Sequence, residues 1–392
     1  MKVLFVIDKL NMGGVSSSLI NLLNEIHDSY DCYILDFSGN KKILGKIPKN
    51  VTIIQGGKIL SILGKTQDDI FKESIFLGIF RAILVMISKV ISGHFARKIL
   101  FLFVKDIANF DLTISYTHDV SWNSLTTGCN QFVIEKVKSK KKVSFVHCDY
   151  SKYGGYNAKQ ERIYNLFDNV VCVSDSSKIV MEECFNSLKD KLVRIYNLTD
   201  IKKIQRLSTD FYEFNHNNIN IVTVCRLSEE KGLERAIEAF YKIKKEGIDR
   251  FTFTIIGDGD RKEQLVKLVK KYDLVKEVIF LGEKSNPFYY MKDADLFLSS
   301  SYHEAAPMVY GECKALQLPI ISTNTLSAYE LVQNVNAGVV CSNSTEGLYK
   351  VLKKELETRE IINNYSYNPK YVNDEAINDV YNFFRKINLD IN

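Results

Sequence analysis

The chain has 392 residues, 46% apolar and 25% charged, and a net charge of +5. That length allows two domains of ordinary size, and the composition is that of a soluble globular protein. The charge is uneven: residues 58–105 hold Lys58, Lys65, Lys72, Arg81, Lys89, Arg97, Lys98 and Lys105 against Asp68, Asp69 and Glu73, so the remainder is close to neutral. A local basic surface is therefore favoured over a uniformly basic nucleic-acid binder, and no nucleic acid is expected as a partner. The eight cysteines are scattered with no CxxC pair and no metal-ligand spacing. They read as reduced thiols of a cytoplasmic protein, not as a zinc or disulfide framework.

Residues 1–8 lack the long apolar core and cleavage site of a signal peptide. Residues 2–7 form an apolar run suited to a parallel strand buried on both faces. A glycine turn containing Gly13 and Gly14 follows, then a helical pattern through Leu19, Leu22, Leu23 and Ile26. Strand, glycine turn and helix open a βαβ unit. Further short strands are predicted at 32–37, 51–54, 112–116, 142–146 and 169–173. Residues 75–91 are strongly apolar but contain Arg81 and Lys89, which argues against a membrane span. On a helix, Arg81, Ser88 and Ser92 would share one narrow stripe beside a wide apolar face. One reading is a pair of helices covering the first sheet; the other is a basic, apolar surface that meets an anionic membrane or a lipid-linked acceptor.

The pattern restarts near residue 220, with strands predicted at 220–225, 251–256, 278–281, 295–299 and 319–322. Helices at 232–244, 261–271, 287–291 and 307–316 alternate with them. This predicts a second doubly wound parallel sheet. Residues 199–218 are the expected linker between an N-terminal domain (1–198) and a C-terminal one (219–372). The last segment, 373–392, has helical spacing and is expected to pack across the domains.

The most informative stretch runs from Ser299 to Glu312. A buried strand breaks into a turn at 302–306, and Pro307 stands where the first helical position is expected. Glu304 lies in the turn and Glu312 lies within the helix, an E-x7-E spacing that is a weak signal alone. Its context is stronger, because a helix N-terminus behind a carboxylate can hold an anionic and a polyhydroxylated group side by side. Arg226 and Lys231, five residues apart, follow another strand at a helix start. Cations there oppose the helix dipole and suit a bound diphosphate. Gly257 and Gly259 follow the next strand and read either as a plain tight turn or as a close backbone approach to a ligand. His147 ends the strand at 142–146, at the edge where open α/β sheets bind ligands, although a histidine there is as often structural.

Together these residues resemble the retaining glycosyltransferases of family 4. The match is best over 221–332, moderate over 1–24 and 143–198, and poor over 40–142. The resemblance implies an α/β fold of GT-B type, with two Rossmann-like doubly wound domains facing a central cleft. It implies that Arg226 and Lys231 hold the diphosphate of a nucleotide-sugar, that Glu312 binds the ribose hydroxyls, and that Glu304 meets the transferred sugar. Backbone groups of Ala306, Pro307, Met308 and Val309 would add contacts to the donor. Main-chain groups near Gly282 would read the base, and Gly257 would line the site. Gly13 and Gly14 would lie under the phosphates and the acceptor, and His147 would face the donor sugar. The family's usual glycine after the first glutamate is replaced here by Ala305, then Ala306. The turn therefore does not require a left-handed backbone.

The expected activity is retaining hexosyl transfer from a nucleotide-sugar, with UDP as the nucleotide, to a saccharide or lipid-linked oligosaccharide in cell-surface polysaccharide synthesis. No cofactor and no divalent metal are expected, since Arg226 and Lys231 supply positive charge. The expected location is the cytoplasm or the inner face of the cell membrane. The alternatives are a nucleotide-sugar epimerase or hydrolase, and a non-catalytic nucleotide-sugar binding protein. A dinucleotide oxidoreductase is disfavoured, because the first turn lacks G-x-G-x-x-G.

Overall fold

The computed structural model describes residues 1–11, 13–40, 43–119, 122–152 and 156–391, and the chain divides into two units. The first comprises Met1–Leu198 and Glu375–Asn392, the second Thr199–Asp374.

The first unit is built on seven parallel strands: β1 (Lys2–Ile7), β2 (Asp31–Asp36), β3 (Thr52–Gln55), β4 (Ile107–Ser115), β5 (Val137–Val146), β6 (Asn169–Cys172) and β7 (Leu192–Arg194). Their order is β3-β2-β1-β4-β5-β6-β7. Alternation along β1 feeds two cores. Leu4 and Val6 pack on one side of the sheet, while Val3, Phe5 and Ile7 pack on the other. Helix α1 (Gly14–Ile26) lies on the second side, burying Leu19, Leu22, Leu23 and Ile26. The C-terminal helix, Asp374–Ile391, buries Val380, Phe383, Phe384 and Ile387 in that same core. Expected to pack across the domains, it is a structural member of the first unit. Arg194 on β7 holds it with ion pairs to Glu375 (3.0 Å) and Asp379 (2.9 Å).

Two helices, α2 (Ile75–Val90) and α3 (Gly93–Phe101), occupy the apolar stretch. No helix among the described residues is long and apolar enough to cross a membrane. The polar stripe points inward. Arg81 is buried, its Nη1 donating to Gln67 Oε1 (2.7 Å) and its Nε to the Ile62 carbonyl (3.2 Å). Arg97 is also buried, donating to Gln131 Oε1 (2.8 Å) and to the Ser124 carbonyl (2.6 Å). Two of the eight cations in the basic segment are thus internal struts and contribute nothing to a charged surface.

The second unit has six parallel strands: β8 (Ile219–Val224), β9 (Phe251–Ile256), β10 (Val278–Gly282), β11 (Leu296–Ser299), β12 (Ile320–Thr323) and β13 (Gly338–Cys341). Their order is β10-β9-β8-β11-β12-β13. All six residues of β9 are buried, as a central parallel strand requires. Helices α4 (Leu233–Lys245) and α5 (Met308–Ala315) follow β8 and β11. The expected linker does not behave as one. It carries a helix, Ile201–Leu207, capped by Asp200, and Ile204 of that helix is in this unit's core. Thr199 and Asn373 exchange two hydrogen bonds, 2.9 and 2.8 Å, where the chain enters and leaves the unit. β7, β13 and the helices Asp175–Cys184 and Thr345–Thr358 were not expected from the sequence pattern; both helices begin at a serine cap, Ser174 and Ser344.

Candidate active site

In the second unit the strand order reverses between β8 and β11, which are neighbours in the sheet although 73 residues separate Lys231 from Glu304. Open α/β sheets place ligands beyond the carboxyl ends of the strands at such a switch point. Both candidate loops leave there. After β8 the chain passes Arg226, makes a 3₁₀ turn at Glu229–Lys231 and enters α4 through Gly232. After β11 it passes through Ser300, Ser301 and Glu304 to Pro307.

The two loops are bonded together. The Tyr302 N–H donates to the Glu230 carbonyl (2.8 Å), and Ser300 Oγ donates to the Lys231 carbonyl (2.8 Å). Gly232 is required twice over. Its φ is +57°, and a Cβ there would stand 2.4 Å from the Ser300 carbonyl oxygen.

This frame brings Lys231 Nζ to 2.5 Å from Glu304 Oε1, and Ser301 Oγ donates to the same carboxylate oxygen at 2.8 Å. Ser301 is buried, and its carbonyl accepts from Thr323 Oγ1 (2.6 Å) at the end of β12. Burial acts to lower the Lys231 pKa, but the charge and hydrogen bond of Glu304 outweigh it and hold the ammonium above its ordinary value. Arg226 is different. Its guanidinium is exposed and pairs with Glu230 Oε1 at 2.9 Å, on its own loop. Sequence reasoning selected both cations and both glutamates but not Ser301 or Thr323. For Ser301 the available signal was the run of serines, 299–301, at a strand end; Thr323 ends another strand and carried none.

Pro307 has φ −62° and ψ 127°, so it caps α5 from outside and Met308 is the first helical residue. Neither Ala305 nor Ala306 has a positive φ, so their methyls cause no backbone strain. Met308 and Val309 form the first turn. Below them, buried Tyr310 bonds Ser322 Oγ (2.6 Å) and Ser299 Oγ (3.2 Å), fixing α5 over the ends of β11 and β12.

Glu312 sits one turn into α5, partly buried, and its carboxylate makes no hydrogen bond or ion pair among the described residues. Burial pushes its pKa up to about 7, with Lys203 acting in the opposite direction. The two glutamates therefore differ: one is ion-paired, and the other is desolvated without an ion pair.

The glycines at the neighbouring strand ends have local reasons for being glycine. A Cβ on Gly257 (φ +144°) would stand 1.8 Å from the Cys225 carbonyl oxygen, and one on Gly259 would stand 2.4 Å from that of Leu227. Their close approach is to the loop after β8. At Gly282 the positive φ, +72°, is the requirement, since nothing crowds a Cβ there.

Gly13, Gly14 and His147 belong to the first unit, again at strand carboxyl ends. Gly13 caps α1 and Gly14 opens it. His147 follows β5, its ring 4.8 Å from that of Tyr116, and its Nε2 is buried with no hydrogen-bond partner among the described residues. Burial lowers its pKa to about 3, helped by nearby His118, so the imidazole is neutral at neutral pH. Among the described residues, no three His, Cys, Asp or Glu side chains are grouped to hold a metal ion.

Residues 206–369, most of the second unit, match the family model for glycosyl transferases group 1. This segment is therefore similar to the domains of group 1 glycosyltransferases. An uncharacterised glycosyltransferase of Methanocaldococcus jannaschii is 32% identical over 166 residues, 41% of each chain. The amylovoran biosynthesis glycosyltransferase AmsK of Erwinia amylovora is 33% identical over 146 residues, 35% of this chain and 36% of AmsK. The chain thus spans well under half the length of these relatives. Among solved structures, HepE of Anabaena in complex with UDP superposes with a TM-score of 0.67 over 99% of this chain and 100% of HepE, at 17% identity. WaaG, a glycosyltransferase of lipopolysaccharide biosynthesis, gives 0.60 at 14% identity over 98% of this chain and 99% of WaaG. The shared fold is GT-B, with two Rossmann-like halves.

Proposed function

We propose that the protein is a retaining, metal-independent glycosyltransferase that moves a hexosyl group from a UDP-sugar to a saccharide or lipid-linked acceptor in cell-surface polysaccharide synthesis. The observation that carries this reading is the Lys231–Glu304 pair at the switch point, on the loop that leads into the helix bearing Glu312. The names of the relatives support the pathway class, and the UDP bound to HepE supports the nucleotide.

In this reading Lys231 exchanges its carboxylate partner for the donor diphosphate, and Arg226 swings from Glu230 to join it. Their charge stabilises the diphosphate as the bond from the anomeric carbon to its oxygen breaks. The acceptor hydroxyl forms the new bond on the same face and gives its proton to the departing phosphate oxygen. Glu304, released from Lys231 but still held by Ser301, receives the sugar hydroxyls. Glu312 accepts from the ribose hydroxyls, and the first-turn amides of α5 at Met308 and Val309 face the phosphate or sugar. Main-chain groups at Gly282 read the base.

The test is a panel of nucleotide-sugars incubated with saccharide and lipid-linked acceptors, with products read by mass spectrometry. Transfer from a UDP-sugar with retained anomeric configuration, undiminished by a chelator, is expected. Release of free sugar alone would make the protein a hydrolase, and binding without turnover would make it a binding protein.

A further inference from the structure

Helix α2 packs Leu84 into the core with Leu77, Phe80, Val85 and Ile87 partly buried beside it, yet it leaves a second apolar face exposed. Its buried face consists of Gly78, Arg81, Leu84 and Ser88. Gly78 is there because the helix rides on Phe71, whose ring carbon would lie 2.2 Å from a Cβ at 78. Ile75, Phe76, Ile79, Ile83, Met86 and Val90 are exposed, with Phe76 85% and Val90 79% accessible. These residues recur at three- and four-residue intervals, so they make one stripe along the helix. The exposed apolar surface continues beyond α2 with Ile91, Phe95, Leu102 and Phe103, and Phe103 packs edge-on against Phe80 at 5.7 Å. Soluble surfaces rarely carry an apolar patch this continuous without something to cover it.

The charges select what covers it. No Asp or Glu occurs from residue 74 to residue 105. With Arg81 and Arg97 internal, the exposed cations of this acid-free stretch are Lys89, Lys98 and Lys105. An apolar stripe with a lysine rim and no acid is complementary to hydrocarbon beneath anionic headgroups. At 16 residues α2 is about 24 Å long, too short to cross a bilayer but suited to lying in its interface.

We infer that the α2–α3 face docks the protein on an anionic lipid bilayer, with the apolar side chains of α2 inserted and the lysine rim on the headgroups. The structure alters the basis of the sequence expectation, because attachment rests on inserted apolar side chains and lysines, without either arginine. If the transferase reading holds, this narrows the acceptor to one carried by a lipid; the docking itself does not depend on that reading.

The experiment is flotation of the full chain with vesicles of phosphatidylcholine alone or with roughly one-third phosphatidylglycerol. Phe76→Asp combined with Val90→Asp tests insertion, and Lys89→Glu combined with Lys98→Glu tests the rim. All four positions are solvent-exposed, so the variants should fold, and UDP-induced thermal shifts should match the wild type. The wild type should float with the phosphatidylglycerol vesicles and keep part of that binding at roughly 0.5 M salt, where surface charge is screened within a few Å. The aspartate pair should lose at least nine-tenths of the floated fraction, and the glutamate pair should lose binding mainly at low salt. A wild type that stays in the soluble fraction at low salt, or an aspartate pair that floats undiminished, would overturn the inference. So would a vesicle-free dimer that the aspartate pair converts to monomer, because the face would then be a contact between two copies. A UDP response without flotation would refute the docking and leave the nucleotide site standing. Flotation without a UDP response would do the reverse.

Discussion

Lys231 and Glu304 stand 73 residues apart in sequence and 2.5 Å apart in space. Each is the other's partner at the carboxyl edge of the second sheet. In the proposed mechanism, a pair held this way supplies a cation for a diphosphate and a carboxylate for a sugar from one point. It also means that neither group can be removed without leaving the other partly buried and uncompensated. Lys231→Ala and Glu304→Gln should therefore be strongly non-additive in stability. Chemical denaturation of the two single variants and the double should give a coupling of about 1–3 kcal/mol. Simple additivity would show that the contact carries little energy.

Glu312 gives a pH prediction whose sign is fixed by its raised pKa, about 7. The folded state favours the protonated carboxyl, so its contribution to stability is full at low pH and is lost as pH rises from the ordinary glutamate range through about 7. Glu312→Gln should flatten that decline in melting temperature. Nucleotide affinity should move the opposite way in the wild type, rising through neutral pH as the carboxylate ionises and becomes the stronger acceptor for ribose hydroxyls. Thermal melts from pH 4 to pH 8 check the first slope, and isothermal titration of UDP at about pH 6 and pH 8 checks the second, each for wild type and Glu312→Gln. Parallel slopes in the two proteins would remove Glu312 from the ribose.

Gly232 is the hinge between the cationic loop and α4, and both its φ of +57° and the Ser300 carbonyl exclude a side chain. Gly232→Ala should destabilise the protein by roughly 1–3 kcal/mol and lower turnover more than tenfold by displacing Lys231. Wild-type melting and turnover would show that the loop relaxes without consequence.

Ser301 positions Glu304 and meets no substrate in the proposed mechanism. Ser301→Ala should lower kcat about ten- to a hundredfold, the value of one hydrogen bond to a charged group, and leave UDP affinity unchanged. Thr at the same position, which restores the hydroxyl, should recover most of the loss. A general loss of UDP affinity would mean that Ser301 only holds the loop together.

Much of this was legible in the sequence. Buried apolar runs alternating with amphipathic helices define two parallel sheets, because a parallel strand covered on both faces has no polar side to show. The strand–turn–helix context of Glu304 and Glu312 marks the candidate site from local pattern alone. What the sequence did not contain was neighbourhood. That Lys231 faces Glu304 depends on β8 lying beside β11, a property of strand order and not of local pattern. Periodicity likewise gave α2 a wide apolar face and a narrow polar stripe but could not say which one the core would take. Arg81 and Arg97 turned inward because Gln67, Gln131 and the carbonyls of Ile62 and Ser124 satisfy them there. The role of residues 199–218 was hidden for a similar reason, since the helix at Ile201–Leu207 buries little besides Ile204.

The account's central claim is that Lys231 leaves Glu304 to bind a nucleotide diphosphate. Titration of UDP, in chelator, into wild type, Lys231→Ala and Glu304→Gln tests it most directly. The account predicts binding by the wild type, at least tenfold weaker binding by Lys231→Ala, and binding at least as tight by Glu304→Gln, where the lysine no longer has a competing carboxylate. Equal affinity in wild type and Lys231→Ala would contradict it.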